Sequence, residues 1–110
     1  NVQAMRRSLA GTDVLVVPTV GTVYTIDAVR ADPFATNATN GRYTNFVNMA
    51  DMAAIAVPNG FLPSGIPMGV SFVGPAFSET LLAETAGAFH RARVGTLGAT
   101  GTKHPEPVLA

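Results

Sequence analysis

The order of elements along the chain predicts an α/β fold: helix, strand, irregular loop, helix, strand, strand, helix. Three observations support this. Two short runs, residues 14–17 and 53–57, are wholly apolar, and each stops at a proline. Runs of that kind suit strands covered on both faces, as in a parallel sheet. A longer stretch from Ser78 repeats apolar residues at helical spacing. Charged residues make up only 13% of the chain against 47% hydrophobic, where about a quarter charged is usual for a soluble domain. So few charges cannot cover the surface of so small a chain. The expectation is a segment of a larger fold, with about three strands and three to four helices.

Residues 1–10 read as the end of a helix, with Val2, Met5, Arg6 and Leu9 on one face. Gly11 suits its stop, because glycine enters the left-handed region without a Cβ penalty. Residues 14–17 form the first strand, and Pro18 ends it by removing a ladder donor. Residues 19–42 are the least regular part. Thr25 can cap one or two helical turns over residues 26–32, and Pro33 forbids their simple continuation. Asn37, Asn40 and Gly41 are turn formers. Residues 43–52 read as a short helix, followed by the strand over 53–57. A tight turn at residues 59–66 leads to a third strand over 67–74, so the last two strands are expected to pair antiparallel. The strand over 53–57 is taken as the organiser of the sheet. The final helix has Ser78 as cap, a stripe of Leu81, Leu82, Thr85, Ala86 and Phe89, cations in its last turn, and Gly95 as stop. Residues 96–110 hold little to bury and read as a tail or linker, giving a boundary near residue 95.

Composition excludes several functions. Net charge is zero and Arg6-Arg7 is the only adjacent basic pair, so a phosphate-backbone binder is not expected. Cysteine is absent, which removes disulfides, thiolate chemistry and Cys-based metal sites. No apolar segment approaches the roughly 20 residues of a membrane span, and no secretory signal is visible. The cytoplasm is the default compartment. For the same reason the acceptor pattern Asn37-Ala38-Thr39 is set aside as a glycosylation site.

No reactive constellation is visible in the sequence. Ser8, Ser64, Ser71 and Ser78 fall at a helix end, a turn, a strand and a cap, without a nucleophile elbow. His90 and His104 show no metal-ligand spacing, and His90 reads as a helix-end cation or surface residue. The glycines at 60 and 65 have a phosphate-loop interval, but a strand follows where a helix is needed. Asp51, alone before an apolar strand, is expected to bind backbone donors there, with a polar ligand as the alternative. Tyr24, Tyr43, Thr44 and Asn45 offer polar groups near strand ends, where α/β folds place ligands. No cofactor fingerprint is present.

Three blocks resemble the C-terminal part of the amidase signature family: Asp13-Val14-Leu15-Val16-Val17-Pro18-Thr19, then Tyr43-Thr44 through Pro58, then Gly65-Ile66-Pro67-Met68-Gly69-Val70 through Leu82. The stretch Tyr43-Thr44-Asn45-Phe46-Val47-Asn48 with Asp51, where many relatives carry glycine, is most similar to the allophanate hydrolase branch. So are Val23-Tyr24-Thr25 and Ala31-Asp32-Pro33. The resemblance implies a mixed sheet flanked by helices and a parent that cleaves a small amide C–N bond, releasing ammonia. The family's Lys and two Ser lie in a Gly/Ser-rich signature absent here, so no catalytic residue is expected in this chain, and Lys103 corresponds to none. The implied substrate-binding positions are Tyr24, Gly41, Tyr43, Thr44 and Asn45. Gly41 stands where members binding amino-acid amides carry an acid, which implies a substrate without an α-amino group. The implied partners are a small amide, the remainder of the amidase domain and, as a further option, a second copy in a homodimer. No cofactor, metal, nucleic acid or membrane is implied. Two alternatives come from other classes: a non-catalytic α/β module that assembles with a partner chain, and a free-standing small-ligand domain. The isolated chain is expected to be poorly folded or oligomeric.

Overall fold

The computed structural model describes residues 2–106. Its centre is a three-stranded sheet in the order β1-β3-β2, formed by β1 (Leu15–Pro18), β2 (Met52–Phe61) and β3 (Pro67–Pro75). Both pairings are antiparallel, and Phe72 of β3 lies opposite Val16 on one side and Ile55 on the other. The expected hairpin of the last two strands is present. The expected parallel-type burial is not. The central strand is β3, whose residues 71–74 are all buried, while β2 is an edge in which Ala54 and Ala56 are exposed. The apolar pentad misleads because alanine carries no polar mark on its outward face, so the run hides its own alternation.

Pairing across the ladder sorts the side chains onto two faces. On one, Val57 and Phe72 are buried against Leu82 and Ala86 of helix α5 (Glu79–Arg93), with Val14, Ala53, Ile55, Val70 and Phe89 around them. Phe72 and Phe89 meet edge to face, with centroids 5.4 Å apart. Gly74 makes this packing possible, because a β-carbon there would lie 2.6 Å from Ser78 Oγ and 3.3 Å from Leu82 Cδ2. Ser78 occupies the cap position of α5, but its hydroxyl does not cap the helix. It donates back to the Pro75 carbonyl at 2.6 Å. His90, Arg91 and Arg93 in the last turn suit the helix dipole. The helix stops through Val94, whose extended backbone donates to the His90 carbonyl, rather than through a left-handed Gly95.

The second face carries Leu15 and Val17, Ser71 and Val73, and Ala54 and Ala56. Helix α1 (Val2–Ser8) touches one end of it through the segment that follows. That segment turns at Gly11, which has φ +83, the left-handed stop the sequence implies. Arg6 of α1 donates to the Ala50 carbonyl at 3.3 Å.

Between β1 and β2 run helices α2 (Ile26–Ala31), α3 (Pro33–Asn40) and α4 (Asn45–Met49). Thr25 caps α2 by accepting from the Ala28 N–H. Pro33 does end α2, but it also begins α3, with the Asp32 carboxylate accepting from the Ala35 N–H at 3.0 Å. An Asp cap followed by Pro in the first turn is a strong helix start, and it outweighs the turn preference of Asn37 and Asn40. The chain therefore has five α-helices among the described residues, against the three to four expected.

Residues 96–104 fold back on the end of α5. Thr96 bridges Lys103, and the His104 ring nitrogen Nε2 lies 2.8 Å from the Val94 carbonyl. His104 also meets His90 edge to face at 4.4 Å. His90 is thus half-buried in an aromatic contact rather than a surface residue, with its Nε2 sealed from water and unpaired among the described residues.

The molecule is a slab of 50 × 41 × 18 Å. Its radius of gyration is 15.9 Å, against about 13 Å for a compact domain of this size. Phe34 and Phe77 are 88% and 94% exposed.

Candidate functional site

Polar groups gather where α3 turns into α4. Gly41 ends α3 by donating its N–H to the Asn37 carbonyl at 3.0 Å. Its own carbonyl accepts from the Thr44 and Asn45 N–H groups at 3.0 and 2.8 Å. Residues 41–45 therefore form one tight turn. Tyr43 swings from this turn over Gly21, where a β-carbon would lie 3.3 Å from its Cε2. That contact brings the loop before α2 alongside the turn, and Tyr43 stays 40% exposed. Thr44 is half-buried and makes no side-chain cap bond. Asn45 is exposed, with its carboxamide folded over Gly41.

Four of the five expected substrate-binding residues, Gly41, Tyr43, Thr44 and Asn45, thus share one turn. Tyr24 stands apart on the neighbouring loop, and no hydrogen bond or ring contact joins it to them among the described residues. Gly21 belongs to the constellation too, but its role depends on a contact that nothing in its local sequence signals. Asn40, next to the turn, has a buried carboxamide oxygen without a partner among the described residues.

A second polar group rims a cavity of about 520 Å³ on the second face of the sheet. Arg6, Asp13 and Asp51 stand at it, over walls that include Leu9, Leu15 and Val73. The Asp51 carboxylate does not bind backbone donors as expected, since no hydrogen bond to it occurs among the described residues. Its constraint is in the backbone, where φ is +52.

The described serines lack a base. Ser8 donates to Ala4, Ser78 to Pro75, and Ser71 pairs with the Thr19 hydroxyl at 2.9 Å. No group of three His, Cys, Asp or Glu that could hold a metal exists among the described residues. Among them, too, no helix is long and apolar enough to cross a membrane.

The amidase family model matches residues 2–83. This chain belongs to the amidase family. It is 43% identical over 89 residues to a urea amidolyase of Lachancea kluyveri and 42% identical over 87 residues to that of Saccharomyces cerevisiae. These matches cover 81% and 79% of the chain but 5% of each relative. Among solved structures, the amidase chain superposes on a Kluyveromyces lactis allophanate hydrolase with a TM-score of 0.78 and 38% identity, covering 84% of the chain and 15% of that protein. It matches the K. lactis urea amidolyase with a TM-score of 0.80 and 31% identity, covering 97% of the chain and 7% of that protein. The three blocks that suggest the family fall on β1, on the turn running from residue 43 into β2, and on β3 with the start of α5.

Proposed function

We propose that this chain is part of an amidase that cleaves a small amide C–N bond and releases ammonia, as an allophanate hydrolase does, in the cytoplasm. Its contribution is structural and local. The sheet and α5 supply part of the core. The turn of residues 41–45, with Tyr24 on the adjoining loop, supplies one wall of the substrate pocket. The nucleophile and its base come from the remainder of the amidase domain, which packs on the second face of the sheet. The observation that carries this reading is the partly exposed polar turn of Gly41, Tyr43, Thr44 and Asn45 on a chain whose described serines have no base within hydrogen-bond reach.

The test compares the 110-residue chain with the complete amidase domain that contains it, measuring ammonia release from allophanate. The domain is expected to turn over and the isolated chain to be inactive. Robust turnover by the chain alone would falsify the placement of the nucleophile elsewhere.

A further inference from the structure

Phe77 stands where the backbone favours glycine. The Ser78 N–H and hydroxyl both donate to the Pro75 carbonyl, at 3.2 and 2.6 Å. Residues 75–78 therefore close a turn whose third position is Phe77, with φ +67. A turn with positive φ at that position takes Gly or Asn, because a Cβ crowds the backbone there. Phe77 and Asp51 are the only non-glycine residues with positive φ among the described residues. A bulky side chain tolerates that region worse than Asp does.

Nothing in this chain offsets the strain. Phe77 is 94% exposed and makes no ring contact among the described residues. Phe34 is nearly as exposed, but α3 holds it without a positive φ. An exposed aromatic alone is ordinary; an exposed aromatic on strained backbone is the pattern of a binding element. The position supports this. Pro75 pairs with Met52 at the end of the β2–β3 ladder. Pro75 and Ala76 line the cavity of about 520 Å³ on the second face, together with Leu9, Leu15 and Val73. Phe77 follows directly on that wall. From Met52 to Ser78 no residue is charged, which suits an apolar partner. The chain covers 15% of the K. lactis allophanate hydrolase on which it superposes, so most of such a protein lies outside these residues and can supply that partner.

We propose that Phe77 is an anchor: its ring seats in an uncharged, apolar pocket of the remaining amidase domain, and the strained turn of residues 75–78 aims it there. A seated aromatic ring buries enough surface to offset the strain, as the central residues of interfaces do. The inference rests on reading the chain as one part of an amidase domain.

The test uses the complete amidase domain. Hydroxyl-radical footprinting reads whether the Phe77 ring meets solvent, and thermal melts read what it contributes. The ring is expected to be oxidised about tenfold more slowly in the folded domain than in the unfolded one, the protection of a site that opens rarely. Phe77→Ala should lower the melting temperature by about 5 °C, the scale of a buried aromatic lost from a large domain. If Phe77→Ala does not fold, Phe77→Leu gives a graded version of the same loss, about half as large. Phe77→Gly and Phe77→Asn separate the readings by sign. Both residues suit the turn better than phenylalanine, so with the ring in water they raise the melting temperature, and with the ring seated they lower it. A ring oxidised equally fast in folded and unfolded domain, or a melting temperature raised by both Phe77→Gly and Phe77→Asn, overturns the proposal. So does protection that is lost on dilution to monomers, which makes a second copy the occupant. A protected ring in a domain that releases no ammonia from allophanate supports the anchor while removing the hydrolase reading.

Discussion

The two faces of the sheet are finished differently. One carries its own cover, with Leu82 and Ala86 at 1% and 0% exposure over Phe72 and Val57. The other has small residues and partial cover. Ala54 and Ala56 are exposed, and Leu9, Ala10 and Val73 line the cavity beside Arg6 and Asp51. Both faces come from the same strands, so the contrast reflects what packs on them rather than strand propensity. Small side chains let a facing element come close. The strip of Ala54, Ala56 and Ser71, beside the larger Leu15, Val17 and Val73, is thus suited to a second layer, proposed above to be the remainder of the amidase domain.

That contrast can be broken by putting a charge on each side. In the complete domain, Ala54→Glu should cost about 4 kcal/mol or prevent assembly, because it buries an unpaired carboxylate. Ala88→Glu, on the exposed side of α5, should change stability by less than about 0.5 kcal/mol. Chemical denaturation of the three proteins decides it, and equal, small effects would mean that the second face stays in water. On the covered face, Leu82→Ala should cost about 3 kcal/mol, the transfer loss plus the cavity left under a helix that cannot fully collapse. Gly74→Ala should cost about 2 kcal/mol by overpacking, since the added carbon meets Ser78 Oγ and Leu82 Cδ2. If Gly74→Ala is silent, Ser78 and Leu82 yield to the added carbon and α5 is not tightly packed on β3.

The covered face is also the legible one. Leu82, Ala86 and Phe89 announce themselves by helical spacing, and residues 67–74 by an apolar run between prolines. Gly11 and Thr25 do what their residue types favour at a helix end. The second face is harder to read, because alanines at 54 and 56 look the same whether they point inward or outward. Helix α3 escapes a residue-by-residue reading because two asparagines count toward a turn, while the Asp32-Pro33 start decides the outcome. The fold-back at His104 depends on residues 10 and 14 positions apart, Val94 and His90, which no local pattern joins. In the candidate site, residues 41–45 are legible as a group because they are contiguous. The reason for glycine at 41 is not, since it lies in the seat of the Asn45 side chain and not in any backbone need.

Asp51 links α4 to β2 with φ +52, and its side chain stands at the rim of the cavity on the second face. The left-handed region costs an L-residue roughly 1–2 kcal/mol, less for Asp and Asn, and nothing for glycine. With no hydrogen bond to its carboxylate among the described residues, Asp51 has little to offset that strain. Asp51→Gly in the complete domain should therefore stabilise by about 0.5 kcal/mol after the added unfolded-state freedom of glycine is counted. Asp51→Val, whose branched side chain fits the left-handed region worst, should destabilise by about 2 kcal/mol. Both are read from thermal melts. If Asp51→Gly instead loses stability, the carboxylate is bound by whatever packs on the second face, and the cavity beside Arg6 is filled by a donor from that layer.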